Sequence, residues 1–122
     1  MNYSILIYNS PSDFAFMHGP STKQQSEHWA EWPKFVQAAS EAGIFAGSAG
    51  LLPPSAAKTL RFSHDKLIVR DGSAADAGEQ LGGFVNIDVP DLDAALEWAA
   101  RCPRLPGQIC EVRPHLPPPP TG

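Results

Sequence analysis

The sequence predicts an α+β domain of βαββαβ order that carries one inserted hairpin. Three observations predict it. Short β-branched and aromatic runs alternate with turn residues. Two longer stretches place apolar residues three and four apart. The chain of 122 residues passes through these patterns once, enough for one real core and too few for two. Apolar residues at 43% and charged residues at 18% give an ordinary globular balance and not the composition of a disordered chain.

Tyr3 to Tyr8 reads as the first strand. The next segment, Asn9 to Gln25, mixes proline, glycine and serine and is expected to be an irregular loop or lid. Trp29, Trp32, Phe35, Val36, Ala39 and Ala42 then fall at helical spacing, with Pro33 in the first turn or at a kink and Gly43 as the stop. "IFAGSAGLLPPS" is a short strand running into a loop, and "TLRFSHDKLIVRDG" a hairpin turning around Ser63, His64 and Asp65. Phe84 to Val89 forms a further strand. "PDLDAALEWAARC" is a helix capped by Asp91, with Asp93 in its first turn, Arg101 near its end and an apolar stripe of Leu92, Ala95, Leu96, Ala99 and Cys102. Gln108 to Arg113 is the last strand. Residues 1–115 make a single domain and 116–122 a proline-rich tail.

Without the hairpin this is the ferredoxin-like arrangement, with both helices on one face of the sheet. Side chains alternate along a strand, so Val85, Ile87 and Val89 face the helices, as do Cys110 and Val112. Phe84, Asn86, Asp88, Glu111 and Arg113 share the other face. That face is too apolar to be simply wet and too polar for a sealed core. A homodimer whose sheets face each other around a partly polar cleft satisfies both conditions.

The net charge of −4, with scattered basic residues, argues against nucleic acid as a partner. No apolar run approaches the roughly 20 residues of a membrane span. The N-terminus enters a strand pattern directly, and Cys102 and Cys110 form no CxxC pair, so free thiols and a cytoplasmic location are expected.

The stretches "LIYN", "AGSAGLLPP", "TLRF", "DGSAADAGEQLGGF", "DVPDLDAALEWAARCP" and "CEVRP", in that order, resemble the YCII-related proteins of the DGPF type from Tyr3 to Pro114. Against the family run DGPFAETKEQLGG, this chain keeps Asp71, Gly72, Ala75, Glu79, Gln80, Leu81, Gly82 and Gly83. It replaces the middle with Ser73, Ala74, Asp76 and Gly78. The resemblance implies a dimeric α+β barrel of ferredoxin-like subunits, a mostly undefined biochemical role, and for some members a transcription-associated context and thus a protein partner of that kind. In smaller YCII relatives a histidine near the first helix and an aspartate before a proline form a proposed acid/base pair. His28 matches the histidine by position, while the aspartate falls on Cys102, so the pair is broken here.

Three residues are candidates for acid/base catalysis. His28 stands beside Trp29 between Glu27 and Glu31, and Asp71 and Glu79 end one loop. The bland alternatives are a surface histidine, an Asx-type turn at Asp71 and a solvated Glu79. Gly82 and Gly83 fit a bulge or a close backbone approach better than a phosphate cradle. Tyr8, Arg61, Asp88, Glu111 and Arg113 are candidates to line the cleft as ligand-binding groups, against internal or cross-dimer ion pairing. His18, His64 and His115 complete no metal-binding spacing, so neither metal nor cofactor is expected. The expected function is small-molecule binding in the cleft of a homodimer. The alternative is a cofactor-independent enzyme working by acid/base chemistry on a small organic substrate. If the loop middle only shapes the loop, Ser73 to Gly78 is mobile while Asp71 and Glu79 stay anchored.

Overall fold

The computed structural model describes residues 1–74 and 78–119. Four strands form one antiparallel sheet: β1 (Asn2–Asn9), β2 (Phe45–Gly50), β5 (Gln80–Asp88) and β6 (Ile109–Pro114), in the order β2-β5-β1-β6. Two further strands, β3 (Lys58–Ser63) and β4 (Lys66–Asp71), form the hairpin as a separate two-stranded sheet. The helices are α1 (Pro11–His18), α2 (Lys23–Glu41) and α3 (Leu92–Ala99), with one 3₁₀ turn at Pro54–Ala56. This mixed α+β layout, with β1 central and a mainly antiparallel sheet, is consistent with the ferredoxin-like arrangement.

The core lies on one face of the large sheet. Tyr3, Ile5 and Ile7 of β1 and Val85, Ile87 and Val89 at β5 pack with Phe35 and Ala39 of α2, with Ala95 of α3 and with Cys102 just beyond it. Directly paired residues share a face, so Val112 opposite Ile5 and Cys110 opposite Ile7 belong to this side as well. Each fully buried Ile or Val contributes roughly 1.5–3 kcal/mol, so this one face carries most of the fold's stability.

The structure corrects three expectations. The Asn9–Gln25 segment is not irregular, for it holds all of α1 and the start of α2. Ser10 caps α1 through a reciprocal capping box with Asp13, and Pro11 occupies the first turn, where its missing N–H costs nothing. Phe14 and Met17 bury the helix, and Gln25 donates from its side-chain amide to the carbonyls of Phe16, Met17 and Gly19, closing the C-terminal end. Pro33 lies in the interior of α2 on its exposed side and not in the first turn, because Thr22 caps that helix eleven residues earlier. The buried face of α3 is turned from the expected stripe: Leu92 and Leu96 stay about half exposed, while Trp98 packs edge-on against Phe35. Ala95 alone among the helix residues is buried outright, since a methyl group lets the short helix approach the sheet closely.

Three finer features follow expectation. Gly43 ends α2 with φ of 73°. The hairpin turns at His64 and Asp65, both at positive φ, as the two-residue turn matching strand twist requires. In the β1–β5 ladder Ile7 opposes Gly83 and Tyr8 opposes Leu81, so Gly82 is the extra residue of a bulge. A Cβ there would stand 2.3 Å from Asn9 Oδ1, and one at Gly83 would stand 2.9 Å from the Ala49 carbonyl. Of the loop expected to be mobile, Ala75, Asp76 and Ala77 lie outside the described residues.

Candidate functional site

The two faces of the large sheet carry two different groups of candidate residues. On the covered face, α1 and α2 bring His28 against Phe16 and Trp29, whose rings meet the imidazole edge-on at 6.1 and 5.6 Å. His28 Nε2 is buried and has no hydrogen-bond partner among the described residues. Burial pushes the His28 pKa down from its ordinary value, and the negative charge of Asp13 opposes that shift in part. The imidazole is therefore neutral near pH 7, the form that can take up a proton.

His28 borders two spaces. One is a partly enclosed cavity of about 160 Å³ between α2 and the sheet, walled by Met17, Trp29, Trp32, Val36 and Val85, with Asn9, Ser48 and Gln108 as further polar groups. The other is an open groove of about 540 Å³ beside Glu27, Glu31, Lys34, Arg101 and Arg104. Around them the charges are largely committed: Lys34 pairs with Glu31 at 3.1 Å, Arg101 lies over the Trp98 ring at 4.1 Å, and Arg104 donates to the Ala100 carbonyl at 2.6 Å.

Asp13 is the carboxylate that sequence reasoning missed. It is 3% exposed and accepts from the backbone N–H of Ser10 at 3.2 Å, from that of Gly107 at 3.2 Å and from Asn9 Nδ2 at 3.5 Å. The signal is present as Ser-Pro-Ser-Asp, a capping box with proline at the first helical position, but the same residue types suit a loop. Cys102 brings no carboxylate to the other side: it is a core thiol, 3% exposed, whose pKa burial pushes up to about 12, so it keeps its proton.

On the bare face, hydrogen bonds run across the strands in two short chains. His115 Nε2 lies 2.7 Å from Ser4 Oγ, which donates to Asn86 Oδ1 at 2.6 Å. Arg113 donates to Glu111 Oε1 at 2.8 Å, and the Tyr8 hydroxyl reaches the same oxygen at 3.4 Å. Asp88 sits 3.1 Å from the Met1 amino group. Tyr8, Glu111 and Arg113 are thus brought together, whereas Asp88 stands at the other end of β5, and Arg61 is on β3 and exposed.

Beyond Tyr8 the bare face ends in a cleft of about 810 Å³ between the sheet and the root of the hairpin. Leu51, Leu52, Pro54, Leu60 and Leu81 line it, with Tyr8, Lys58, Thr59 and Glu79 as polar groups. Glu79 is therefore in a cleft with Tyr8 and not with His28. Asp71 forms an exposed ion pair with Lys58 across the hairpin, and Gly72 donates to the Ala57 carbonyl at 2.8 Å with φ of 93°. The structure brings neither Asp71 nor Glu79 into the spaces that His28 borders. Among the described residues no group of three or more His, Cys, Asp or Glu side chains is placed to hold a metal ion, and no helix is long and apolar enough to cross a membrane.

A four-stranded antiparallel sheet with helices on one face, and a cleft between its other face and a hairpin, defines a small α+β protein with candidate ligand spaces on both sides of the sheet. The chain belongs to the YCII-related domain family, whose model matches residues 1–117. It is also similar to an uncharacterized protein of Rhizobium meliloti (strain 1021), 39% identical over 100 residues that cover 81% of this chain and 77% of that protein.

Proposed function

We propose that this chain is a homodimeric small-molecule-binding protein whose ligand occupies the cleft between the bare sheet face and the hairpin root. The observation that carries the proposal is the cleft itself. Its volume of about 810 Å³ lies within the usual range for ligand pockets, roughly 300–1,000 Å³, and a mainly apolar wall meets a few convergent polar groups there. The occupant that fits is an organic molecule with an apolar body and one polar end, met by the Tyr8 hydroxyl, Lys58 or the Glu79 carboxylate. What supports the dimer is the uncovered face: Leu6, Tyr8 and Phe84 lie between the polar rows on the side of the sheet opposite the helix-packed core. Paired as two facing sheets, such subunits make the α+β barrel.

A second reading is favoured by one specific observation, the neutral half-buried imidazole whose buried Nε2 has no partner among the described residues. It makes the protein a cofactor-independent enzyme in which His28 accepts a proton from a small substrate and Asp13 stabilises the imidazolium that forms.

One screen separates the readings. Compounds that raise the melting temperature of the wild-type protein are retested on Leu81→Arg, which plugs the outer cleft, and on Val36→Trp, which fills the inner cavity. Loss of the effect in Leu81→Arg with retention in Val36→Trp is the expected result. The reverse pattern overturns the cleft reading in favour of the His28 cavity.

A further inference from the structure

The β3–β4 hairpin leaves an apolar face exposed in the subunit it belongs to. Its strands pair with each other in their own two-stranded sheet, and an isolated two-stranded hairpin is at best marginally stable in water. Cross-strand register puts Leu60 opposite Val69 and Phe62 opposite Leu67, so these four side chains share one face. They are 54, 57, 80 and 52% exposed, in the order Leu60, Val69, Phe62, Leu67. The other face carries Thr59, Arg61, Ser63, Lys66, Ile68 and Arg70. A ribbon with one apolar and one polar face is built to lay the apolar face on something.

We infer that the apolar face of this hairpin packs on a second copy of the chain, as an arm that roofs the partner's bare sheet face and cleft. The inference rests on the homodimer reading and adds the surface that makes the dimer. Two observations favour a second copy over a foreign protein. The apolar stripe is continuous with the proposed ligand cleft, since Leu60 at its root lines that cleft and Phe62 lies farther along the same strand face. A two-fold dimer therefore uses the stripe and the bare sheet face twice each, with both apolar surfaces covered in one step. Charge is complementary too. From Lys58 to Asp71 the arm holds four basic against two acidic side chains, which leaves five basic against eleven acidic for the rest of the chain. A positive arm on a negative body attracts its own copy.

Sedimentation velocity of the full chain at micromolar concentrations tests this with wild type, Phe62→Asp/Leu67→Asp and, on the opposite face, Ile68→Asp. All three positions are exposed in the subunit, so circular dichroism and melting report whether each variant keeps the fold. The expected result is a dimer for wild type and Ile68→Asp. The double variant sediments as a folded monomer, with its dissociation constant raised at least about tenfold by the loss of two apolar anchors. A double variant that dimerises like wild type overturns the arm while leaving the homodimer reading standing. A monomeric wild type overturns both. Hydrogen exchange on wild type gives an answer that needs no variant: diluting the protein must deprotect the amides of β3 and β4 ahead of those of β1 and β5. Equal protection at all dilutions counts against the arm.

Discussion

At the level of single residues, Asp13 and His28 are coupled through charge and not through a hydrogen bond that fixes both. Asp13→Asn keeps the volume but removes the charge that the Ser10 and Gly107 N–H groups point at, with an expected loss of about 1–3 kcal/mol in chemical denaturation. The same substitution must lower the His28 pKa further, because Asp13 is what partly offsets desolvation; an unchanged imidazole titration by NMR refutes the coupling. The sign for stability follows from burial. The unfolded chain takes up the His28 proton near the ordinary value of 6.5, before the folded protein does. Stability from this group is complete above 6.5 and falls as pH drops from there towards the lower folded value. Cys102 acts at the other end of the scale. Its thiol ionises at an ordinary 9.0 when unfolded and at about 12 in the core, so stability falls as pH rises through that window. Cys102→Ala should flatten this alkaline slope in urea midpoints measured across it, whatever it costs in packing; a slope equal to that of wild type contradicts the assignment.

Among the elements, the bulge in β5 positions both candidate spaces. Gly82 lies against the Asn9 side chain and Phe14 and borders the partly enclosed cavity, while its neighbour Leu81 lines the outer cleft. Gly82→Ala brings a Cβ within 2.3 Å of Asn9 Oδ1 and is expected to cost about 1–3 kcal/mol. Gly50→Ala, where an added Cβ meets nothing within 4 Å, is the control and should change stability by less than about 1 kcal/mol. Equal destabilisation by the two would show that loss of backbone freedom, and not contact with Asn9, constrains the bulge. The bulge was legible because two adjacent glycines at a strand entrance admit few other readings. The first helix was not. Its composition of proline, serine, aspartate and histidine satisfies a loop as well as a helix, and only the bond between Ser10 and Asp13 decides between them.

For the whole molecule, the succession of strands along the chain and the side of the sheet that each residue takes were readable in advance. Alternation along β1, β5 and β6 separates Ile5, Ile7, Val85 and Ile87 from Tyr8, Phe84, Glu111 and Arg113, and the pairing register agrees. The membership of the candidate site was not readable. His28, Asp71 and Glu79 are all plausible proton carriers one by one, yet the sheet lies between the first and the last, and Asp71 is tied to Lys58. The uncovered face and the unpacked hairpin set the largest prediction at this scale, a dimer that dissociates when the hairpin tip is charged.

The sequence by itself determined the α+β class, the helix-facing half of the sheet, the hairpin and the family, because these depend on periodicity and turn chemistry, which are local properties of the chain. Only the tertiary structure decided that the charge of Asp13 reaches His28. It alone placed Glu79 in a cleft with Tyr8 and left the apolar stripe of the hairpin bare. Each of these depends on the distance in space between residues far apart in the chain, which no local pattern encodes.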